Sequence, residues 1–187
     1  VVRRIRSANL ARMDYGVFDL EDLGVPQKRK RLIAGSPGLI ARLKRLSAQS
    51  RRRSVRDVIH NARGTHVRHS KRWETARLRH IRKPGESKYI YSKSSNPLHG
   101  CLPVSGPAPT VLTTGQLNWV DKRQPEAKSQ PLNVSEITAL QTFPADFVLP
   151  QNRQDACKLV GNAVPPLVAK LLMSKGAPTP GAGRLGW

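Results

Sequence analysis

Gly161-Asn162-Ala163-Val164-Pro165-Pro166 and Gly24-Val25-Pro26-Gln27-Lys28-Arg29-Lys30-Arg31 are the stretches on which the reading of this chain turns. The first, with Leu159 and Val160 before it, is a Gly-Asn turn followed by two prolines suited to a helix's first turn. Backbone N–H groups at such a terminus, with a short Asn side chain, suit a polar or anionic ligand. The second stretch is a tight turn feeding a strand. Strand alternation places Arg29 and Arg31 on one face. A guanidinium held there can donate two parallel hydrogen bonds to a base carbonyl or a phosphate. Taken singly, each stretch is better read as a structural turn or a basic loop.

Outward from these stretches the spacing predicts a mixed α/β order. Ile5, Leu10 and Met13 give a short amphipathic helix over residues 2–13, closed by turn chemistry at Asp14-Tyr15-Gly16. Val17–Leu20 and Arg31–Gly35 read as strands, the second stopped by Ser36-Pro37-Gly38. Leu39, Ile40, Leu43 and Leu46 return to helical spacing. Strand, loop, strand, helix fits the edge of an α/β sheet. From Ser47 to about Gln130, Pro, Gly, Ser and Arg replace long periodic segments. Only Tyr89–Tyr91 and Thr110–Thr114 read as β there, so a loop-rich, strand-poor small domain is expected. Asn133 and Glu136 have the spacing of an N-cap and its reciprocal partner, before Val134, Ile137 and Leu140 on one helical face. Pro144 is expected to stop that helix. A last helix is predicted from Pro165 through Met173, with Leu167, Val168, Leu171 and Leu172 facing a core, and residues 176–187 form a Gly/Pro-rich tail expected to be unfolded.

The charge balance narrows the partners. The 187 residues hold 33 Lys+Arg against 12 Asp+Glu, a net of +21. Lys28 to Lys88 alone carries 20 basic and 3 acidic residues, a net of +17. A field of that density points to nucleic acid rather than to a merely solvated face. The Arg-rich run lacks the apolar stripe of a membrane-surface helix. Neither an apolar run of membrane-spanning length nor a secretory leader is visible, and no membrane partner is expected. Cys101 and Cys157 lack metal-ligand spacing and read as reduced, buried or incidental thiols of an intracellular protein. The compartment is expected to be the nucleoid, nucleus or cytoplasm, with an organelle open. The five histidines complete no zinc site, and no metal is expected. Trp73 and Trp119 could stack on bases, although a lone Trp is more often core. Val1 in place of Met reads as a cut or processed start.

In this order, with Leu140-Gln141-Thr142-Phe143-Pro144 between them, the two stretches resemble the C-terminal portion of the C5-cytosine DNA methyltransferases. The resemblance runs from about Asp14 to Met173. It includes Thr65-His66-Val67-Arg68 through Arg77–Ile81 to Lys83-Pro84-Gly85-Glu86-Ser87, like the segment leading into that family's target-recognition region. Three ordered motifs are more specific than any one.

The resemblance implies an α/β fold, the C-terminal edge of a Rossmann-like methyltransferase sheet, with a small, irregular, basic target-recognition domain. Residues 1–46 would end the catalytic domain and 47–130 would read double-stranded DNA. Residues 131–175 would return to the catalytic domain and cofactor site. Arg31 would hydrogen-bond O2 of an extruded cytosine, with Gln27 and Arg29 shaping its loop. Gly161, Asn162, Ala163 and Val164 would line the S-adenosylmethionine pocket. Arg51, Arg52, Arg53, Arg56, Arg68, Arg72, Thr113 and Thr114 would meet nucleic acid. Glu136 and Pro144 would be structural, with the Glu136 helix organising the recognition domain.

The family's Gly-rich cofactor loop, Pro-Cys nucleophile loop and Glu-Asn-Val motif are not in this sequence, and neither cysteine follows a proline. Gln130, Asn133 and Ser135 also stand where the family's usual Arg and Thr/Arg pair would be. The chain therefore reads as a C-terminal subunit or fragment. It would be inactive without a complementary half, or an upstream part of the same chain, carrying the nucleophile. A second reading is a non-catalytic basic protein of a ribonucleoprotein, such as an organellar ribosome, with RNA as partner. A regulatory DNA-binding module is a third, but no helix-turn-helix or zinc-finger pattern recommends it.

Overall fold

The computed structural model describes residues 13–59, 88–92, 101–121 and 130–174. The expected helix over 2–13, the 65–87 segment with Arg68, Arg72 and Trp73, all five histidines and the tail lie outside them, Met13 excepted.

The chain forms mixed α/β structure. Strand β1 (Asp14–Asp19) and β2 (Lys30–Gly35) make an antiparallel hairpin whose register pairs Asp14 with Gly35 and Asp19 with Lys30. Asp14-Tyr15-Gly16 is thus the start of a strand and not a helix-ending turn; pairing with 33–35 overrides its turn composition. A 3-10 turn, Leu20–Leu23, opens the connection, and Gly24 closes it at φ 87, donating back to Glu21 O. That left-handed backbone suits glycine.

Ser36-Pro37-Gly38 does not merely stop β2; it starts α1 (Pro37–Gln49), with Ser36 Oγ accepting from Leu39 N and proline in the first turn. Ile40, Leu43 and Leu46 are the buried stripe of α1. They form one core with Phe18, Leu20, Leu23 and Val25 of the hairpin and with Val168 near the end of the chain.

The 47–130 region has more strand than its composition foretells. After the short α2 (Arg56–Ile59), β3 (Lys88–Ser92), β4 (Cys101–Pro103), β5 (Leu117–Asp121) and β6 (Gln130–Pro131) form an antiparallel sheet in the order β4-β3-β5-β6. Thr110–Thr114 is not a strand. Val111 N–H goes to Gln27 Oε1 and Val111 O accepts from Arg29, so its backbone groups are taken by side chains. Every strand pairing among the described residues is antiparallel, and the one parallel contact is the isolated bridge Gln27–Ala108.

Helix α3 (Val134–Leu140) begins with both halves of the expected capping box: Glu136 N donates to Asn133 Oδ1 at 2.9 Å and Asn133 N to Glu136 Oε2 at 2.8 Å. It ends before Pro144 acts. Gln141 caps it, and Thr142 turns left-handed at φ 63. Helices α4 (Arg153–Asn162) and α5 (Pro166–Met173) follow. Cys157 and Val160 of α4 join Ile137 and Leu140 of α3, Ile90 and Leu117 of the sheet, and Val111 in a second core. Residues 153–173 reach the length and apolarity of a membrane span, contrary to the expectation that no run of that kind is present. They are two helices here, broken at Ala163–Pro165, with Val160 and Val168 in separate cores.

Gly161 sits where α4 meets the 112–113 backbone. A Cβ there would lie 2.6 Å from Thr113 N and 2.7 Å from the Leu112 carbonyl carbon. Backbone cannot swing aside as a side-chain end can. Gly161→Ala should therefore lower stability by about 1–3 kcal/mol despite alanine's better helix propensity. Thermal unfolding checks this; an unchanged or higher melting temperature would show that the two backbones are not in contact.

Candidate functional site

Two buried side chains lock the site together. Gln27 is 0% exposed, in the loop before β2. Its Nε2 donates to Leu140 O at 3.1 Å and to Gln141 Oε1 at 2.7 Å, and its Oε1 accepts from Val111 N at 3.0 Å. Gln141 Nε2 passes the chain on to Val160 O at 2.7 Å. Arg29, 6% exposed, donates from Nη1 to Val111 O at 2.8 Å and from Nη2 to Gly161 O at 2.9 Å. Burial first, and the positive charge of Arg31 second, bring its pKa down to about 10, so it remains a cation at neutral pH. Alongside, Lys28 N donates to Ala108 O at 2.8 Å and Ala108 N to Pro26 O at 2.9 Å. The loop 26–29, the segment 108–111 and the end of α4 are thereby joined by polar contacts between the two apolar cores.

Arg29, strand β2, residues 111–113, the end of α4 and the face of α5 line a cleft of about 620 Å³. Arg29, Arg31, Thr113 and all four of Gly161, Asn162, Ala163 and Val164 line it, with Leu20, Val168 and Leu172 on an apolar side. Three groups of sequence-predicted residues thus meet in one place. Their environments differ. Arg29 is engaged by two main-chain carbonyls, whereas Arg31 is exposed and, among the described residues, hydrogen-bonded to its neighbour Lys30 O at 2.7 Å. Gln27 lies behind the wall. Val164, 60% exposed, presents apolar surface. Among the described residues no lining side chain is acidic, and Arg29 and Arg31 bring positive charge to the cleft.

The helix terminus expected to bind an anion is modified by the structure. Gly161 and Asn162 are the last turn of α4, not the approach to a helix. The helix that follows begins at Pro166 after a Pro165 cap, so two of its early positions have no N–H. The Leu167 N–H is taken by Thr142 Oγ1 at 3.1 Å. Sequence reasoning missed Gln141 and Thr142 as site builders, and missed α4. The available signal for α4 was Asn152, whose side chain accepts from Gln154 N at the N-cap.

The arginines assigned to nucleic acid divide. Arg51 and Arg56 are exposed on the strap after α1. Arg53 is half-buried beside them. Arg52 Nη2 lies 2.7 Å from Asp22 Oδ1, and Nη1 lies 3.4 Å from Glu21 Oε1, so its charge is met within the chain. Thr113 faces the cleft and Thr114 is exposed in the following turn. Glu136 is buried in the capping box and Pro144 half-buried beyond the helix end. Burial raises the pKa of the Cys157 thiol against the lowering effect of Arg153, so it is a neutral core group and a poor nucleophile. No cluster of metal-ligating side chains occurs among the described residues.

A family model of the C-5 cytosine-specific DNA methylases matches residues 8–176. The chain belongs to this family. It is also similar to the Type II methyltransferase M1.HphI of Haemophilus parahaemolyticus, at 39% identity over 64 residues. That stretch is 34% of this chain and spans only 16% of the relative's length.

Glu21, in the 3-10 turn beside the cleft-lining Leu20, provides a pH test of that turn. Burial first, then the charge of Asp19, raise its pKa above the ordinary 4.5, while Arg52 opposes them. A carboxyl whose folded pKa is raised favours folding while protonated. That contribution is complete below pH 4.5 and is lost as pH rises through the folded value. Glu21→Gln should be at least as stable as the parent at pH 7, with the difference vanishing below pH 4.5, in urea titrations at both pH values. A variant weaker at pH 7 would mean that attraction to Arg52 outweighs the cost of burying the Glu21 charge.

Proposed function

We propose that this chain supplies the cytosine-facing wall and part of the S-adenosylmethionine-facing wall of a DNA (cytosine-5-)-methyltransferase. On this reading it also carries the enzyme's target-recognition surface. The observation that carries the reading is the cleft shared by Arg31, Thr113 and Gly161–Val164. S-adenosylmethionine would supply the methyl group. Its adenosine portion fits the apolar side made by Leu20, Val164, Val168 and Leu172, and Asn162 offers hydrogen-bonding groups at the same lip. Its ammonium and sulfonium cations find no carboxylate among the lining residues. On this reading their counter-charges come from elsewhere in the enzyme, along with the cysteine nucleophile that neither Cys101 nor Cys157 provides.

Arg31 is the group that would act on the base. A cytosine extruded from the duplex presents O2 as an acceptor. When a thiolate adds at C6, negative charge spreads onto the ring and O2, and a guanidinium there stabilises that charge more than the ground state. Arg29 borders the same cleft, but on this reading it does not serve, because its Nη1 and Nη2 are held by the carbonyls of Val111 and Gly161. The exposed cations of the 51–56 strap would meet phosphates without reading sequence. Such an enzyme would work on DNA inside a cell.

The test is reconstitution with a polypeptide carrying the Pro-Cys loop and the Gly-rich cofactor loop. Arg31→Ala should slow methyl transfer to DNA by roughly 100-fold or more, the scale of losing one charge-stabilising donor, with duplex binding little changed. Turnover equal to the parent's would remove Arg31 from the reaction.

A further inference from the structure

The lip of the cleft, residues 161–165, is anchored from outside at both ends by two consecutive side chains. Gln141 Nε2 donates to Val160 O at 2.7 Å, just before the lip. Thr142 Oγ1 accepts from Leu167 N at 3.1 Å, just after it. Within the lip, Ala163 N reaches Val160 O at 3.3 Å, a long contact.

The backbone at Thr142 is strained where this anchor is made. Phe143 N donates to Thr138 O at 3.1 Å and Thr142 N to Ala139 O at 3.0 Å. These are the two bonds of a Schellman helix end, with Thr142 in the left-handed position that glycine usually fills. Among the described residues it is the sole non-glycine with positive φ, at 63. A β-branched residue is strained there and persists where its surroundings dictate it. Glycine would relax the turn but would carry no hydroxyl for the Leu167 N–H.

We propose that Gln141 and Thr142 are positioning residues that hold the 161–165 lip in its ligand-facing shape, and that Thr142 accepts backbone strain to do so. The geometry stands apart from the identity of the ligand; only the binding arm below rests on the cofactor reading.

Amide hydrogen exchange on the full chain tests it, with Thr142→Gly as the principal variant. Exchange at Asn162, Ala163 and Leu167 should quicken about tenfold, the weight of one hydrogen bond, while the melting temperature stays level or rises as strain is released. Thr142→Asn, which tolerates the left-handed region and keeps an acceptor, should restore slow exchange. Gln141→Met should quicken exchange at the same amides by freeing Val160 O. Unchanged lip exchange in Thr142→Gly, or no rescue by Thr142→Asn, would overturn the proposal. S-adenosylhomocysteine binding to the reconstituted enzyme separates the two readings. Weaker binding in Thr142→Gly supports both. Quickened exchange in the variant of a parent that does not bind the probe leaves the positioning role standing and removes the cofactor reading.

Discussion

The rest of the structure depends on a cation placed inside the protein. Arg29 carries its guanidinium into the space between two cores and shares it between the carbonyls of Val111 and Gly161. Burying a charge is costly unless its donors are satisfied. What the fold gains is geometric. A planar fork fixes two carbonyls from different segments at once, which a lysine cannot do. Gln27 makes the companion link through its own amide and Gln141. The loop before β2, the irregular segment 108–113 and the lip after α4 therefore hold their places without sharing a sheet.

That arrangement separates two arginines that sequence alone presents as equivalents. Arg29 and Arg31 both border the cleft, yet one is consumed by main chain and the other is free to meet a ligand. Three more of the described arginines are tied to partners within the chain. Arg42 of α1 donates to the carbonyls of Leu171 and Ser174 at the end of α5, where a cation also complements the helix dipole. Arg153 bridges Leu132 O and Gly115 O. Arg52 is paired with acids. Bonds to neutral carbonyls leave these charges in place while fixing where they sit, and the exposed strap at 51–56 adds to the positive field of a chain with a net charge of +21.

What the sequence made legible was local. The capping box at Asn133 and Glu136, the buried stripe of α1, strand β2 and the helix after Pro165 follow from short-range spacing and appear nearly as expected. Arg31, Thr113 and Gly161–Val164, far apart in sequence and singled out there separately, line one cleft. The errors share one physical origin, namely backbone whose partners are distant. Thr110–Thr114 has strand composition, but Val111 is bonded by side chains from residues 27 and 29. Asp14–Gly16 has turn composition, but the hairpin recruits it. Gln141 looks like any polar residue near a helix end. Only the fold shows its amide to be buried between Gln27 and Val160.

The most direct test compares Arg29→Met with Arg31→Met in equilibrium unfolding. If the buried guanidinium holds the cleft together, Arg29→Met should lose about 2–5 kcal/mol, because two buried carbonyls are left without donors. Arg31→Met should stay within about 0.5 kcal/mol of the parent, as an exposed substitution does. Equal losses, or a stable Arg29→Met protein, would contradict that role for Arg29.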